Sequence, residues 1–440
     1  MIGWLARYLR TFTGFSRDAR LFLLTTIVFG AALSLYWIDF NLYLESIGLD
    51  RPTIGMLLAL SQLAGVIVAL PASALSDRVG RRSMMAAGMA LVTLALFAFL
   101  PGQRLLLFVG VAMLGAGSQI VSVVQIPFIA EHTLPEQRNE YFAMWSAFGF
   151  LTSLVSAVAG GQIATALAGH LGLVSAAAPY QILLAGVAVL GVVSLGTVYL
   201  LRSDRPSADR GPRPGRNRFG LVILDRKIFF RLLLPGFLTA LGAGQLIPFL
   251  NVFIQTKFEL NLASVNFVFA ITSLGTALAI LAQPAIARRF GRIGSIVLVQ
   301  GASIPFLVVL GFSPLLWTVV VALTVRNSLM NAGSPIFDAF AMEHITPAER
   351  ATLAAGMTLL WSLGWTIAPL YYSQLQATLG FTAGYAVDFV TIIVLYTIAT
   401  GLLWKWFRGT DNTAEADSTA GAEPAIVPIQ TEAPALLDHA

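Results

Sequence analysis

The chain has 440 residues, of which 57 % are hydrophobic and only 11 % are charged, and its mean hydropathy is +0.79. Because soluble globular domains carry roughly 25 % charged residues, this composition excludes an ordinary soluble protein and predicts an integral membrane protein. The lack of cysteine excludes disulfide bonds and thiolate metal sites, and the four histidines are too scattered for a metal centre. We expect no metal ion and no other cofactor.

Twelve apolar runs divide the sequence. A membrane-spanning helix needs roughly 20 mostly apolar residues, and the runs that fit cover about residues 21–44, 53–75, 84–101, 105–130, 141–168, 179–201, 228–254, 264–287, 294–312, 315–342, 351–378 and 382–406. We number these predicted spans helix 1 to helix 12. They predict an all-α integral membrane fold with twelve transmembrane helices.

Lysine and arginine are concentrated on one side of the predicted spans. Of the 27 basic residues, only Arg51, Arg104, Lys257 and Arg326 fall outside the segments on the side of the N-terminus. Since positive charge accumulates in cytoplasmic loops, we expect both termini in the cytoplasm and the chain in a bacterial-type inner (plasma) membrane. The pI near 9.6 follows from this topology, so no nucleic-acid partner is predicted.

Five regions are expected along the chain. A cytoplasmic segment, 1–20, precedes an N-terminal six-helix bundle, 21–201, and a C-terminal bundle, 228–406, follows the linker 202–227. The linker is rich in Arg, Pro and Gly, a composition typical of a flexible basic segment lying on the anionic cytoplasmic leaflet. The polar tail, 407–440, is predicted to be disordered in the cytoplasm.

Two sequence repeats relate the bundles. Glu131–Arg138 (EHTLPEQR) recurs 212 residues later as Glu343–Arg350 (EHITPAER), and Arg78–Arg81 (RVGR) recurs 211 residues later as Arg289–Arg292 (RFGR). Two matches at nearly the same separation, in loops of the same order, indicate an internal duplication. Because six helices preserve orientation, we predict two pseudo-symmetric, parallel halves related by an axis along the membrane normal.

The loop between helices 2 and 3, Ser73–Arg82, reads SALSDRVGRR. With the twelve spans and the repeat, it resembles the major facilitator superfamily of secondary transporters, whose signature Gly-x-Leu-Ala-Asp-Arg-x-Gly-Arg-Lys/Arg it matches except at Ser73 and Ser76. The resemblance covers about residues 20–406. It implies that Asp77, Arg78, Gly80, Arg81 and Arg82 form a cytoplasmic gate, in which Asp77 pairs with Arg and the start of helix 11.

Four charged residues within the predicted spans are site candidates, with Arg231 and Lys405 assigned to the helix ends, because a charge costs roughly 2.5–3.5 kcal/mol at mid-bilayer. Asp39 on helix 1, with Tyr36 and Tyr43 on the same face, is the candidate proton carrier; the alternative is a structural acid. Arg326 on helix 10 either binds an anionic substrate or locks helices together. The remaining two are Asp338 on helix 10 and Asp388 on helix 12, and a structural role is expected for Asp388.

Helix 10 carries a polar line at helical spacing, consisting of Asn327, Asn331, Ser334 and Asp338. The repeat relates part of this line to Gln119 and Ser122 on helix 4. The family resemblance implies that helices 1, 4, 7 and 10 surround the substrate, so both sets are candidate cavity residues, and hydrogen bonding between helices is the alternative. Further candidates are Gln125, Gln245 and the aromatic Trp361, which could equally serve helix packing.

No catalytic triad or phosphate-binding loop occurs in the sequence, so an enzyme is not predicted. We predict a secondary active transporter that exports a small organic solute by proton-coupled alternating access. The alternatives are an importer or exchanger of an anionic metabolite and, from another class, a membrane receptor or scaffold that does not transport. The expected partners are the solute, protons and the lipid bilayer, and the protein is expected to be a monomer.

Overall fold

The computed structural model describes residues 12–133, 138–173, 175–202, 223–290, 292–346 and 349–408. The first half of the chain, which we call the N half, forms α1 Arg17–Ser46, α2 Arg51–Val79, α3 Arg81–Phe99, α4 Arg104–His132, α5 Arg138–His170 and α6 Ala178–Tyr199. Most of the predicted linker and tail, and the first part of the N-terminal segment, lie outside the described residues.

The second half, which we call the C half, begins with a broken helix, α7 Arg226–Phe258, interrupted by a 3-10 turn at Ile247–Phe249. It continues with α8 Leu262–Phe290, α9 Arg292–Phe312 and α10 Leu316–Glu343. The last helical segment, Arg350–Phe407, changes direction at Gly380 and therefore consists of α11 (350–379) and α12 (381–407).

Local chemistry accounts for several helix boundaries. Asp50 caps α2, because its carboxylate accepts the Thr53 N–H at 3.3 Å, and such a cap satisfies a backbone donor that the first turn leaves free. Gly80, with φ of 99°, separates α2 from α3, and Gly380, with φ of 74°, separates α11 from α12. A residue with a Cβ would be strained at both glycines, so the sequence permits each reversal only there.

Nine described segments are long and apolar enough to span a membrane, namely Arg17–Ser46, Arg51–Ala69, Arg81–Phe99, Arg104–Gln125, Leu151–His170, Ala178–Tyr199, Arg226–Phe258, Ile293–Phe312 and Thr352–Phe407. The last of these contains both α11 and α12. The apolar part of α8, Leu262–Thr276, is shorter. The all-α membrane fold is therefore confirmed, and the count of twelve spans is confirmed in part.

The apolar core is distributed unequally between the two ends of the helices. We call the end where α1 begins and α12 ends the terminal face, and the other end the opposite face. One core cluster continues from the N half into the C half near the opposite face, joining Phe40 and Phe99 with Phe249 and Phe253. At the terminal face of the C half a separate cluster forms around Phe340. Among the described residues, the halves thus share a core toward the opposite face.

Candidate functional site

A cavity of about 530 Å³ lies between the two halves, and we call it the interhalf cavity. Its volume falls in the range of roughly 300–1,000 Å³ that small-molecule sites occupy. Three tryptophans supply aromatic walls: Trp365 lies 6.2 Å from Trp361 and 6.5 Å, edge-on, from Trp37 (ring centroids). Polar side chains in the lining are Ser34, Gln62, Ser153, Asn251, Ser273 and Asn327.

A second cavity of about 520 Å³ lies inside the C half among α7, α9, α10, α11 and α12, and we call it the C-half cavity. It adjoins the interhalf cavity, because Ile247, Asn327, Trp361 and Trp365 line both. Leucine, phenylalanine, methionine and tryptophan dominate its walls. A solute in the interhalf cavity could therefore extend an apolar part into the C half.

Arg326 brings a positive charge into the C-half cavity. Its side chain is 1 % exposed, and its Nη2 donates to the hydroxyl of Tyr396 on α12 at 2.9 Å. Its Nε has no acceptor, and no carboxylate pairs with it among the residues that the structure describes. Two roles were predicted for Arg326, and the described residues form no ion pair with it that would lock helices together.

The structure brings the predicted helix-10 residues together along the C-half cavity. Asn327 lines both cavities, and Asn331, whose Nδ2 donates to the Asn327 carbonyl at 2.9 Å, lines the C-half cavity with Asp338. The predicted aromatic wall residue Trp361 faces both cavities. The side chain of Ser334 lies outside the described residues.

The predicted residues of helix 4 occupy a different environment. Gln119 is half-buried beside Gly65 of α2, where an added Cβ would lie 3.6 Å from the Gln119 Cβ, and Ser122 is exposed. Gln125 is half-buried. None of these three side chains lines either cavity in the described part of the chain, so the polar line of α10 has no equivalent lining on α4.

Three other predicted cavity residues lie in the protein core. Tyr36 stacks on Phe99 at a ring distance of 5.8 Å, and Tyr43 donates to the Phe99 carbonyl at 2.8 Å. Gln245 is buried, and its Nε2 donates to Leu241 within α7 at 3.2 Å. None of them is among the residues that line the two cavities.

Asp39 joins the two halves. It is 1 % exposed, and its Oδ1 accepts the Nδ2–H of Asn266 on α8 at 2.8 Å. Its Oδ2 has no partner among the described residues. Asp39 does not line the interhalf cavity itself, but its neighbours Trp37 and Ile38 do. Asn266 was not identified from the sequence.

A reciprocal pair of amides also joins the halves, and we call it the amide clasp. Asn41 Nδ2 donates to the Pro248 carbonyl at the break in α7, and Asn251 Nδ2 donates to the Ile38 carbonyl of α1. The two donors, Asn41 and Asn251, are 210 residues apart, and so are the two acceptors, Ile38 and Pro248. The sequence signal for this clasp is the match of NLYLE, beginning at Asn41, with NVFIQ, beginning at Asn251, and our sequence analysis missed it.

Helices α2 and α11 meet across the halves at the opposite face. A Cβ added to Gly55 would lie only 2.3 Å from the Ser373 Oγ and 2.7 Å from the Pro369 carbonyl oxygen, so only glycine permits this approach. Nearby, Arg51 Nη1 donates to Gln376 Oε1 at 2.9 Å. At the same end of the molecule, Gln255 Nε2 of α7 donates to the Tyr180 hydroxyl of α6 at 2.8 Å.

At the terminal face, the described bonds of the predicted gate join it to other parts of the N half. Arg81 lies 3.5 Å from the Glu131 carboxylate of α4, and Arg82 donates to the Tyr199 carbonyl at the end of α6 at 2.7 Å. Arg78 is exposed, and Gly80 forms the turn described above. The side chain of Asp77 lies outside the described residues, so its predicted pairing with α11 stays a prediction.

Two carboxylates outside the spans are held by backbone N–H groups. Glu349, just before α11, accepts the Leu224 N–H at 2.6 Å, and this bond, with those from Thr346, lowers the pKa of Glu349. Hydrogen bonds from Thr53 lower the pKa of Asp50 at the opposite face. Both carboxylates therefore stay ionised at neutral pH. Glu349 holds the segment before α7 against the start of α11, and Asp50 holds the first turn of α2.

An all-α membrane fold with two six-helix halves around a central cavity is the architecture of a secondary transporter. The sequence profile of the Major Facilitator Superfamily matches residues 22–369, and the chain belongs to this family. It is therefore a multi-pass membrane transporter of small molecules and not an enzyme. This family membership argues against the receptor or scaffold considered above.

Solved structures show the same fold at low identity. The nucleoside transporter NupG has a TM-score of 0.71 at 13 % identity, covering 88 % of this chain and 99 % of that one. A bacterial homologue of the human lysosomal transporter Spinster, inward-facing and occupied, has a TM-score of 0.67 at 14 % identity, covering 88 % and 97 %. FucP in its outward conformation has a TM-score of 0.55 at 14 % identity, covering 87 % and 99 %. No curated protein matches the sequence.

Proposed function

We propose that the protein exports a small organic solute across a bacterial-type inner membrane in exchange for protons. The observation that carries this proposal is the buried Asp39, which bonds across the halves beside a solute-sized aromatic cavity. The orientation is proposed from the basic residues, all but four of which fall in sequence segments predicted on the side of the N-terminus. With the terminal face in the cytoplasm, positive charge is inside, as in most membrane proteins.

In this orientation the structure represents the inward-facing state. The described hydrogen bonds between halves lie toward the opposite face, which is then the outer face, and they close the cavity to the exterior. The higher similarity to an inward-facing transporter, 0.67 against 0.55 for the outward-facing FucP, agrees with this assignment. Solute would therefore enter the cavity from the cytoplasm.

Coupling would depend on the Asp39–Asn266 bond. When the outer face opens, α1 and α8 separate, the bond breaks, and Asp39 meets external water. A lone carboxylate is costly to return to the membrane interior, so the outer face closes again more readily after Asp39 has taken up a proton. The proton would then leave toward the cytoplasm before the next solute is bound, which links one proton entering to solute leaving.

Import or exchange of an anionic metabolite is the second candidate, and Arg326 favours it because it places a positive charge in the C-half cavity. The two candidates differ in direction and share the same cavities. An inward proton gradient would accelerate loss of internal solute in an exporter. In a proton-coupled importer it would accelerate uptake.

Proteoliposomes loaded with a pH-sensitive dye test the proposal. The full chain is reconstituted, the exterior is acidified, and three solutes of equal size are compared: 2-naphthoate, 2-naphthamide and 2-naphthylmethylamine. We expect at least one to leave against its gradient with matching proton entry, and Asp39→Asn to reduce this flux at least tenfold. A solute flux that does not depend on the pH gradient, or an Asp39→Asn variant whose flux equals that of the original chain, would contradict proton coupling through Asp39.

Orientation is tested separately, since the chain has no cysteine of its own. A cysteine introduced at Gln103, exposed at the opposite face, should react with an impermeant thiol reagent in intact cells. One introduced at Arg408, exposed at the terminal face, should react only after the membrane is opened. The reverse pattern would invert the proposed direction.

A further inference from the structure

Arg326 is a buried charge for which the residues that the structure describes supply no counterion. Its side chain is 1 % exposed, and its one described hydrogen bond is to the neutral hydroxyl of Tyr396. A buried charge is costly unless it is paired, and intramembrane charges typically mark a ligand path. A bound anionic ligand is therefore the simplest counterion for the Arg326 guanidinium.

The nearest acid on the same helix is too far away to serve as this counterion. Asp338 also lines the C-half cavity, but it lies twelve residues further along α10, which corresponds to about 18 Å of helix. Asp39 bonds to Asn266, and the two ion pairs that the structure describes, Arg51–Glu45 and Arg81–Glu131, involve other arginines. The Arg326 guanidinium thus faces a cavity without a described carboxylate beside it.

The remaining walls indicate what the ligand carries besides its anionic group. Phe337, Met330, Met357 and Trp361 make the C-half cavity predominantly apolar, and Trp365 continues this surface into the interhalf cavity. Aromatic side chains favour flat apolar groups that stack or pack edge-on. An apolar or aromatic body in these cavities would place one acidic group at Arg326.

We propose that Arg326 binds the carboxylate of the transported solute, and that this solute is an organic acid with an aromatic or otherwise apolar body. Guanidinium binds carboxylate through two parallel N–H···O bonds, which a neutral amide cannot reproduce. Charge-assisted bonds of this kind correspond to roughly tenfold to hundredfold in affinity. The inference rests on the proposed function only in taking these cavities as the solute site.

Binding to the full-length chain in detergent tests this inference by isothermal titration calorimetry. The probes are benzoate, 2-naphthoate and 4-biphenylcarboxylate, each compared with its own carboxamide, so that body size is matched and charge alone differs. We expect at least one carboxylate to bind tenfold or more tightly than its amide. Equal affinities, tighter binding of the amides, or no binding of any acid would overturn the inference.

Variants assign the preference to Arg326. Arg326→Gln should remove the preference while the amide affinity changes less than twofold, and Arg104→Gln, the same change at an exposed arginine of the opposite face, should retain it. If Arg326→Gln does not fold, Arg326→Lys keeps the charge without the planar fork and should retain only part of the preference. A preference that survives Arg326→Gln, an equal loss of both affinities, or an Arg326→Lys preference as large as that of the wild type would each overturn the assignment.

The two proposals can fail independently. Detergent binding needs no proton gradient and has no direction, so an intact carboxylate preference with flux that ignores the pH gradient would overturn proton coupling alone. Proton-driven flux of 2-naphthamide or 2-naphthylmethylamine without a carboxylate preference would overturn the Arg326 inference alone.

Discussion

The two faces of the molecule are held together in different ways. At the opposite face, described bonds cross between the halves: the amide clasp, the Asp39–Asn266 bond and the Arg51–Gln376 bond. At the terminal face, each described bond stays within one half, as between Arg82 and Tyr199 in the N half and between Glu349 and Leu224 in the C half.

This difference identifies where the conformational equilibrium can be changed. Bonds within a half move with that half and contribute equally to both states, so they bias neither. Bonds between halves exist in only one state, and losing one shifts the equilibrium by its full differential free energy. Substitutions at the opposite face should therefore favour the state that is open at that face, while matched substitutions elsewhere should not.

Gly55→Leu should have the largest effect. The added side chain would collide with Ser373 and with the backbone of Pro369, and overpacking of this kind costs about 1–3 kcal/mol. We expect the open population of the opposite face to rise roughly fivefold to 150-fold. Spin labels on cysteines introduced at the exposed Gln103 and Thr382 would report longer distances.

The control for this prediction is Gly186→Leu, because a Cβ at Gly186 meets nothing within 4 Å. Its distance distribution should match that of the unsubstituted chain. If Gly55→Leu also leaves the distances unchanged, α2 and α11 accommodate the side chain without separating, and the close approach at Gly55 does not control the opening of the opposite face.

Removing the amide clasp should have a smaller and unequal effect. The Val252 N–H donates to Asn251 Oδ1 at 2.8 Å rather than completing a regular turn to Pro248, so the Pro248 carbonyl relies on Asn41. Ile38 lies within the continuous helix α1. Asn41→Leu should therefore orphan a buried acceptor at about 1–3 kcal/mol. Asn251→Leu should lose one bond between the halves at about 0.5–1.5 kcal/mol, because its other bond, from the Val252 N–H, lies within the C half and biases neither state.

The same spin-label distances measure this asymmetry, with the exposed Gln374→Leu as control. Asn41→Leu should open the opposite face more than Asn251→Leu does, and the double variant should exceed either. Equal shifts for the two single variants would show that the clasp is energetically symmetric despite the break in α7.

The sequence predicted the helices and the repeat better than it predicted the cavity. Apolar runs define spans because lipid requires continuous helices, and the duplicated loop motifs indicated two related halves. The polar line of α10 was located for the same reason, since helical spacing places Asn327, Asn331 and Asp338 on one face. The segment of α4 that the repeat relates to this line carries Gln119. The repeat predicted a cavity position for Gln119, but it could not show which helices pack against α4.

Contacts between distant helices explain what the sequence left undetermined. Asn266 becomes the partner of Asp39 only when α8 lies against α1, and Trp37 and Trp365 meet only when the halves pack together. Tyr43 shows the converse, because its position next to Asp39 on the sequence favoured a cavity role, whereas its hydroxyl bonds to the Phe99 carbonyl in the core. Periodicity gives the face of a helix but not the identity of its neighbour.

Arg51→Gln should affect the equilibrium less than the clasp does. Arg51 lies 3.4 Å from Glu45 and donates to Gln376 across the halves, but its side chain is 25 % exposed. The ion pair with Glu45 lies within the N half and biases neither state, so only the partly exposed bond to the neutral Gln376 counts, at about 0.5–1 kcal/mol. We expect at most a fivefold opening that is similar at low salt and near 1 M salt, because Gln376 carries no charge. Arg104→Gln, which removes a bond to Thr53 within the N half, should cause no opening at either salt concentration.

Asp50→Ala should have the smallest effect on the equilibrium, because the described bonds of Asp50, from Thr53 in the first turn of α2, stay within the N half. Losing such a cap costs about 0.5–2 kcal/mol locally, so hydrogen exchange at the Thr53 amide should accelerate while the spin-label distances stay constant.

The pKa of Asp50 is lowered, first by the Thr53 hydroxyl and also by Arg104. The stabilisation is therefore complete above the ordinary carboxyl pKa of about 3.9 and is lost as pH falls through the lowered value. The original chain and Asp50→Ala should consequently differ in Thr53 exchange at pH 6 and converge near pH 2. A pH-independent difference would mean that packing at Asp50, and not its charge, stabilises the first turn. Longer spin-label distances in Asp50→Ala would mean that bonds within one half also determine the conformational state.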